Sequence, residues 1–158
     1  MTKVLLSIHV LAAILAIGPV TVAASMFPRY AAQAFAAPAD LAIRSVVQTL
    51  HRICRVYSVL GIFVPAFGLM TAISLGVLTD TWLIVSIILT AVAAVLLVAS
   101  LLPAQRAILA SLDDDVADPS DGMPATISRL RMVTGLFSLL WAIVTILMIA
   151  RPGSTTGA

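Results

Sequence analysis

Charge is what this sequence lacks most. Of its 158 residues only 10% are Asp, Glu, Lys or Arg, against about 25% in a soluble domain, and the mean hydropathy is +1.15. Four stretches carry no charged side chain: Val4 to Pro28, Val56 to Thr79, Thr81 to Gln105 and Met132 to Ala150. About 20 helical residues at ~1.5 Å each cross a ~30 Å hydrocarbon core, so each stretch can span it. A lone apolar run in lipid must satisfy its own backbone, which makes these runs helices. The expected fold is all-α, an integral membrane four-helix bundle forming one domain over residues 1–151. Its spans fall at about 4–27, 56–78, 81–103 and 130–150, with a polar tail over 152–158.

The other scarcities exclude function classes. Cys54 is the single cysteine, so no internal disulfide forms and the residue reads as a buried thiol. A net charge of +2 is too small for a nucleic-acid partner. The spans contain no carboxylate or ammonium group, which weakens a channel or transporter reading. No catalytic constellation stands out, and the reading leans away from an enzyme.

The charge that is present is lopsided. Arg29, Arg44, Arg52, Arg55, Arg106, Arg129 and Arg131 flank the two longer loops, whereas the opposite ends carry Lys3 and Arg151, with Asp80 in the short "LTDT" link. The positive-inside rule then predicts both loops in the cytoplasm and both termini outside. Trp82 is expected at the outer aromatic belt, Tyr30 and Tyr57 at the inner one, and Trp141 near the midplane. A signal-peptide reading of the first run, suggested by "AFAAPAD", is opposed by an apolar stretch about twice the usual length and by Arg29.

Between the first two runs, "AAQAFAAPAD" reads as a linker ending in Asp40, a helix N-cap. Ile43, Val46, Val47, Leu50, Ile53, Cys54 and Tyr57 then recur at helical spacing, opposite Arg44, Gln48, His51, Arg52 and Arg55. This predicts an amphipathic cytoplasmic entry that continues into the membrane without a break. Arg44, His51, Arg52 and Arg55 are assigned to anionic head groups of the bilayer or to a partner protein. The acidic loop "SLDDDVADPSDGMPAT" fails the calcium-loop pattern, because Ala117 and Asp118 fall where an oxygen ligand and a glycine belong. A loose contact between this loop and the basic stripe is expected, and helix four is expected to start at Thr126.

Small residues mark helix contacts in lipid. The stripes are Ala12, Ala16, Pro19 and Ala23; Ser58, Gly61, Pro65, Gly68 and Ala72; Ser86, Thr90 and Ala93; and Gly135, Ser138, Ala142 and Thr145. Pro19 and Pro65 are expected to kink their helices and free backbone carbonyls. One step back from Ala12 lies His9, the only ionisable side chain well inside a span, and it should point inward. His51 falls near the opposite membrane face, roughly 30 Å away, so the two imidazoles cannot share one iron. Counting from the inner ends sets Met70, Thr71, Ser74, Ser86 and Met148 at the depth of His9. A His–Met pair suits haem b or Cu(I), with His9, Met70 and Met148 as ligands. A serine would make the same histidine a structural hydrogen-bonding residue.

"LLSIHVLAAILAIGP", the following "FPR" and "LHRICRVYSVLGIFVPAFGLMTA" resemble a group of small bacterial four-span proteins. The group comprises haem-associated protoporphyrinogen oxidases, CopD-like copper-resistance domains and a predicted integral-membrane family of unknown function. The resemblance covers about the first half of the chain and implies a four-helix membrane fold with His9 as a candidate haem or copper ligand. Against the oxidases, the interval from His9 to Pro28-Arg29 is about one turn longer and their later lysine has no counterpart. The tryptophan and paired glycines of CopD-like proteins are replaced by "AILAIGP". Enzymatic activity does not carry over, and the expected role is an accessory or scaffold subunit associated with other membrane proteins. The alternative is a haem- or copper-binding membrane protein.

Overall fold

A computed structural model of the chain describes residues 2–113 and 123–152. Most of the acidic loop and the polar tail lie outside the described residues, and with them the expected contact between that loop and the basic stripe. The described residues form α1 (Thr2–Ala36), α2 (Leu41–Leu60), α3 (Phe63–Leu75), α4 (Thr81–Leu96), a π-helical turn (Leu97–Leu101), α5 (Leu102–Asp113) and α6 (Met123–Ala150). With α2–α3 and α4–α5 each read as one rod, four helices are long and apolar enough to cross a membrane. The molecule is a multi-pass, all-α membrane bundle.

The alanine-rich stretch is not a linker. Alanine is the strongest helix former, and α1 runs on through it to Ala36, leaving only 37–40 as the turn. Asp40 then caps α2 as its spacing predicts, its carboxylate accepting from the backbone N–H of Ala42 at 3.0 Å and of Ile43 at 3.2 Å. The second rod, expected to be unbroken, pauses at Gly61–Ile62. Pro65 has no N–H to offer the Gly61 carbonyl, and Val64 N bonds that carbonyl three residues back instead, at 3.2 Å. Gly76 ends α3 in the left-handed region at φ 68°, where a side chain would be strained.

Helix α1 is the spine. It packs along α2 and α3 on one side and against α6 on another; α6 also packs against α4, and α5 closes onto α2. At the arginine-rich end the core is Phe27, Ala31, Val47, Leu50, Ile108 and Ile127. At the other end Trp82 is buried rather than facing a lipid belt. Its indole N–H donates to Asp80 at 3.0 Å, and the Arg151 guanidinium lies 5.7 Å from the ring centroid, a cation–π arrangement.

The small-residue rule holds for the first and third rods, holds in part for the second, where Ala72 is buried but Pro65 is exposed, and fails for the fourth. His9, Ala16, Ala23, Ala72, Ser86 and Ala93 are buried. On α6 the buried side chains are Thr134 and the larger Ile127, Leu130, Phe137, Leu140 and Val144, while Gly135, Ala142 and Thr145 face outward. Helix α6 contacts α1 and α4 through bulky side chains filling the interior, so its small face is left at the surface.

The π-helical turn shifts the facing of the third rod. Ser86 and Ala93 are buried before it, Leu97 and Leu101 at its two ends, and Gln105, Ile108 and Leu112 after it. At 3.6 residues per turn the stripe through Leu97 would continue at Ala104; with the Leu102 N–H bonded to Leu97 O, one residue is absorbed and Gln105 takes that place. Deleting Ala99, which is exposed, should convert the turn to α-helix with Gln105 still inward. The expected cost is under about 1 kcal/mol in thermal unfolding in detergent.

Candidate functional site

Two buried histidines, each joined to a second helix, stand in the polar interior with Thr71, Ser86, Gln105 and Thr134. His9 projects from α1 against α3, and its Nδ1–H donates to the Val64 carbonyl at 2.8 Å. A carbonyl only accepts, so the proton sits on Nδ1 and the Nε2 lone pair is left available. Gly68 makes this approach possible: a Cβ there would lie 2.8 Å from His9 Cε1 and 3.1 Å from Nδ1. The acceptor is a backbone carbonyl rather than the serines considered from sequence. Ser74 and Ser86 spend their hydroxyls on carbonyls of their own helices, Met70 O at 2.9 Å and Trp82 O at 2.8 Å.

The depth count from sequence is corrected by this pairing. His9 lies opposite Val64 and Gly68, not Met70 to Ser74, because α1 extends to Ala36 and α2 runs beside that extension. Met70 is 49% exposed and two residues from Gly68, so it points about 200° away around the helix. Met148 packs with Ala72, Trp82 and Leu83, one turn beyond Gly68. The three residues grouped as ligands are therefore not drawn together.

His51 was expected on the exposed basic face and is instead buried. Its Nδ1 is 3.0 Å from Gln105 Oε1, and Gln105 Nε2 is 3.5 Å from Cys54 Sγ. Cys54 Sγ in turn approaches the Val20 carbonyl at 4.0 Å. With Oε1 as acceptor the set is consistently oriented: imidazole N–H to amide oxygen, amide N–H to sulfur, thiol to carbonyl. His51 and Cys54 are one turn apart on α2 and share its buried side with Val47 and Leu50. The periodicity of α2 misplaced His51 by one step, since the polar partner waiting for it is on α5.

Gln105 was missed altogether. It is fully buried, and the signal was its spacing of four from Leu101 and three from Ile108, an apolar stripe that a polar residue joins only with a partner in reach. Of the remaining basic stripe, Arg52 and Arg55 are exposed and Arg44 is half-buried. The Nε of Arg44 is buried with no hydrogen-bond partner among the described residues. About thirteen helical residues separate Val64 from His51, ~20 Å of rise, so the two histidines form separate centres. Among the described residues no three His, Cys, Asp or Glu side chains converge.

Comparison of the chain with protein-family models, with curated proteins and with solved structures finds no match in any of the three.

Proposed function

We propose that the chain is a non-enzymatic accessory or scaffold subunit of a larger membrane assembly. The observation that carries this reading is the outward face of α6. Gly135, Ala142 and Thr145 are exposed, and a Cβ added at Gly135 would meet nothing within 4 Å. Small residues that admit another helix at close range are what transmembrane partners pack against. Both buried histidines spend a ring nitrogen on joining helices.

The same reading places the protein in the bacterial inner membrane with the arginine-rich end in the cytoplasm, where Arg52 and Arg55 meet anionic head groups. Native-state sizing in mild detergent tests it. A discrete complex is expected for the wild type, and Gly135→Leu with Ala142→Leu should reduce it to the free chain without changing the melting temperature. A wild type that runs as a free monomer, or a complex indifferent to both substitutions, overturns the reading.

A second reading keeps His9 as a haem b or Cu(I) ligand. It rests on the Nδ1–H bond to Val64, which fixes the ring and leaves Nε2 as the ligating atom. The visible spectrum and metal content of the same sample, wild type beside His9→Ala, decide it. A Soret band or bound copper lost in the variant supports it; neither in the wild type removes it.

A further inference from the structure

We propose that His51, Cys54 and Gln105 form a site for a soft monovalent d10 cation, Cu(I), with silver(I) as its redox-inert stand-in. The site is independent of the accessory reading and separate from His9. Three observations carry it. His51 and Cys54 stand one turn apart on the buried side of α2, and an imidazole nitrogen of one and the sulfur of the other approach the same Gln105 amide. That amide lies 3.0 Å from His51 Nδ1 and 3.5 Å from Cys54 Sγ. A nitrogen, an oxygen and a sulfur donor from two helices are thus gathered within reach of a single small group. Thiolate and imidazole suit copper and zinc alike among the physiological cations, and charge separates the two.

Charge chooses the oxidation state. Arrival of Cu(I) forms an Sγ–Cu bond and breaks the Sγ–H bond, the proton leaving to bulk buffer, and copper stays Cu(I) throughout. His51 changes tautomer: Nδ1 gives up the proton it donates to Gln105 Oε1 and takes the cation, while Nε2 gains a proton from solvent, so the imidazole stays neutral with one proton. Neutral histidine, neutral amide, one thiolate and one monovalent cation sum to zero, the same as the thiol form. A divalent ion would leave one positive charge in an interior where Cys54 and Gln105 are fully buried, beside the exposed Arg52 and Arg55, and no further His, Cys or carboxylate is gathered to offset it among the described residues. Desolvating that charge is costly, so Zn(II) is excluded by the same donor set that admits Cu(I). Gln105 keeps two tasks: Oε1 turns from accepting the imidazole proton to facing the cation, and the Nε2–H continues to donate to sulfur, a bond strengthened once the sulfur is a thiolate.

The test is anaerobic titration of the detergent-solubilised full chain with Cu(I) against a chromogenic Cu(I) chelator. One equivalent should bind wild type and His9→Ala alike, with a near-ultraviolet thiolate-to-copper band. Cys54→Ala and His51→Phe should each weaken binding at least tenfold, and Zn(II) should not be retained. X-ray absorption at the copper edge of the wild type, which needs no variant to fold, should report one sulfur neighbour beside nitrogen or oxygen. Copper without a sulfur neighbour, or binding unchanged in Cys54→Ala and His51→Phe, overturns the proposal. Binding lost in His9→Ala and kept in Cys54→Ala overturns it as well, and assigns the metal to the outer histidine.

Discussion

Gln105→Leu should destabilise the bundle by about 2 kcal/mol, although leucine matches glutamine in bulk and suits an apolar interior better. The cost comes from what is stranded. Without the amide oxygen the His51 Nδ1–H loses its acceptor at 3.0 Å, and Cys54 loses the donor at 3.5 Å. A buried donor left unpaired costs about 1–3 kcal/mol, whereas replacing both partners by apolar groups is nearly neutral. The double variant Gln105→Leu with His51→Phe should therefore recover most of the loss. Thermal or denaturant unfolding in one detergent, run on wild type, both single variants and the double, measures the coupling directly. If the double variant is as unstable as the sum of the singles, the pair is not the unit described above.

Gly68→Ala is the second large effect, for a steric reason. The added Cβ would lie 2.8 Å from His9 Cε1, closer than packed carbon atoms come, so the imidazole or α3 has to move. The groups facing it are the imidazole ring and the helix that supplies the ring's own acceptor, and a shift of either lengthens the 2.8 Å bond to Val64 O. Overpacking costs about 1–3 kcal/mol, and a displaced hydrogen bond adds to it. His9→Ala opens the space, so the loss from Gly68→Ala should shrink by at least about 1 kcal/mol in that background. Equal losses in both backgrounds would separate Gly68 from His9.

Much of this architecture could be read before any coordinates, for identifiable reasons. Four charge-free runs bounded by arginine can only be helices in lipid, and the cap at Asp40 and the disturbance at Pro65 follow from local backbone chemistry. That His9 turns inward followed from its place one step before Ala12 and Ala16. What local chemistry does not carry is register between helices. His9 meets Val64 rather than Met70 because α1 outlasts its apolar run, and a charge boundary does not mark where an alanine-rich helix stops. The outward face of α6 was misread for a related cause: a small stripe indicates a contact without saying whether the contact is within the chain. Gln105 was hidden by the π-helical turn, since counting at a constant 3.6 residues per turn puts its neighbour Ala104 in the interior.

That turn also sets how errors in length propagate. In an uninterrupted helix one residue gained or lost rotates everything downstream by about 100°, coupling the chemistry at one end to the spacing at the other. Between Leu97 and Leu101 the third rod has a vernier instead. The half that crosses the apolar core and the half that carries Gln105 can each be aimed on their own, so the polar cluster can be retuned without disturbing the packing that holds the rod in the membrane.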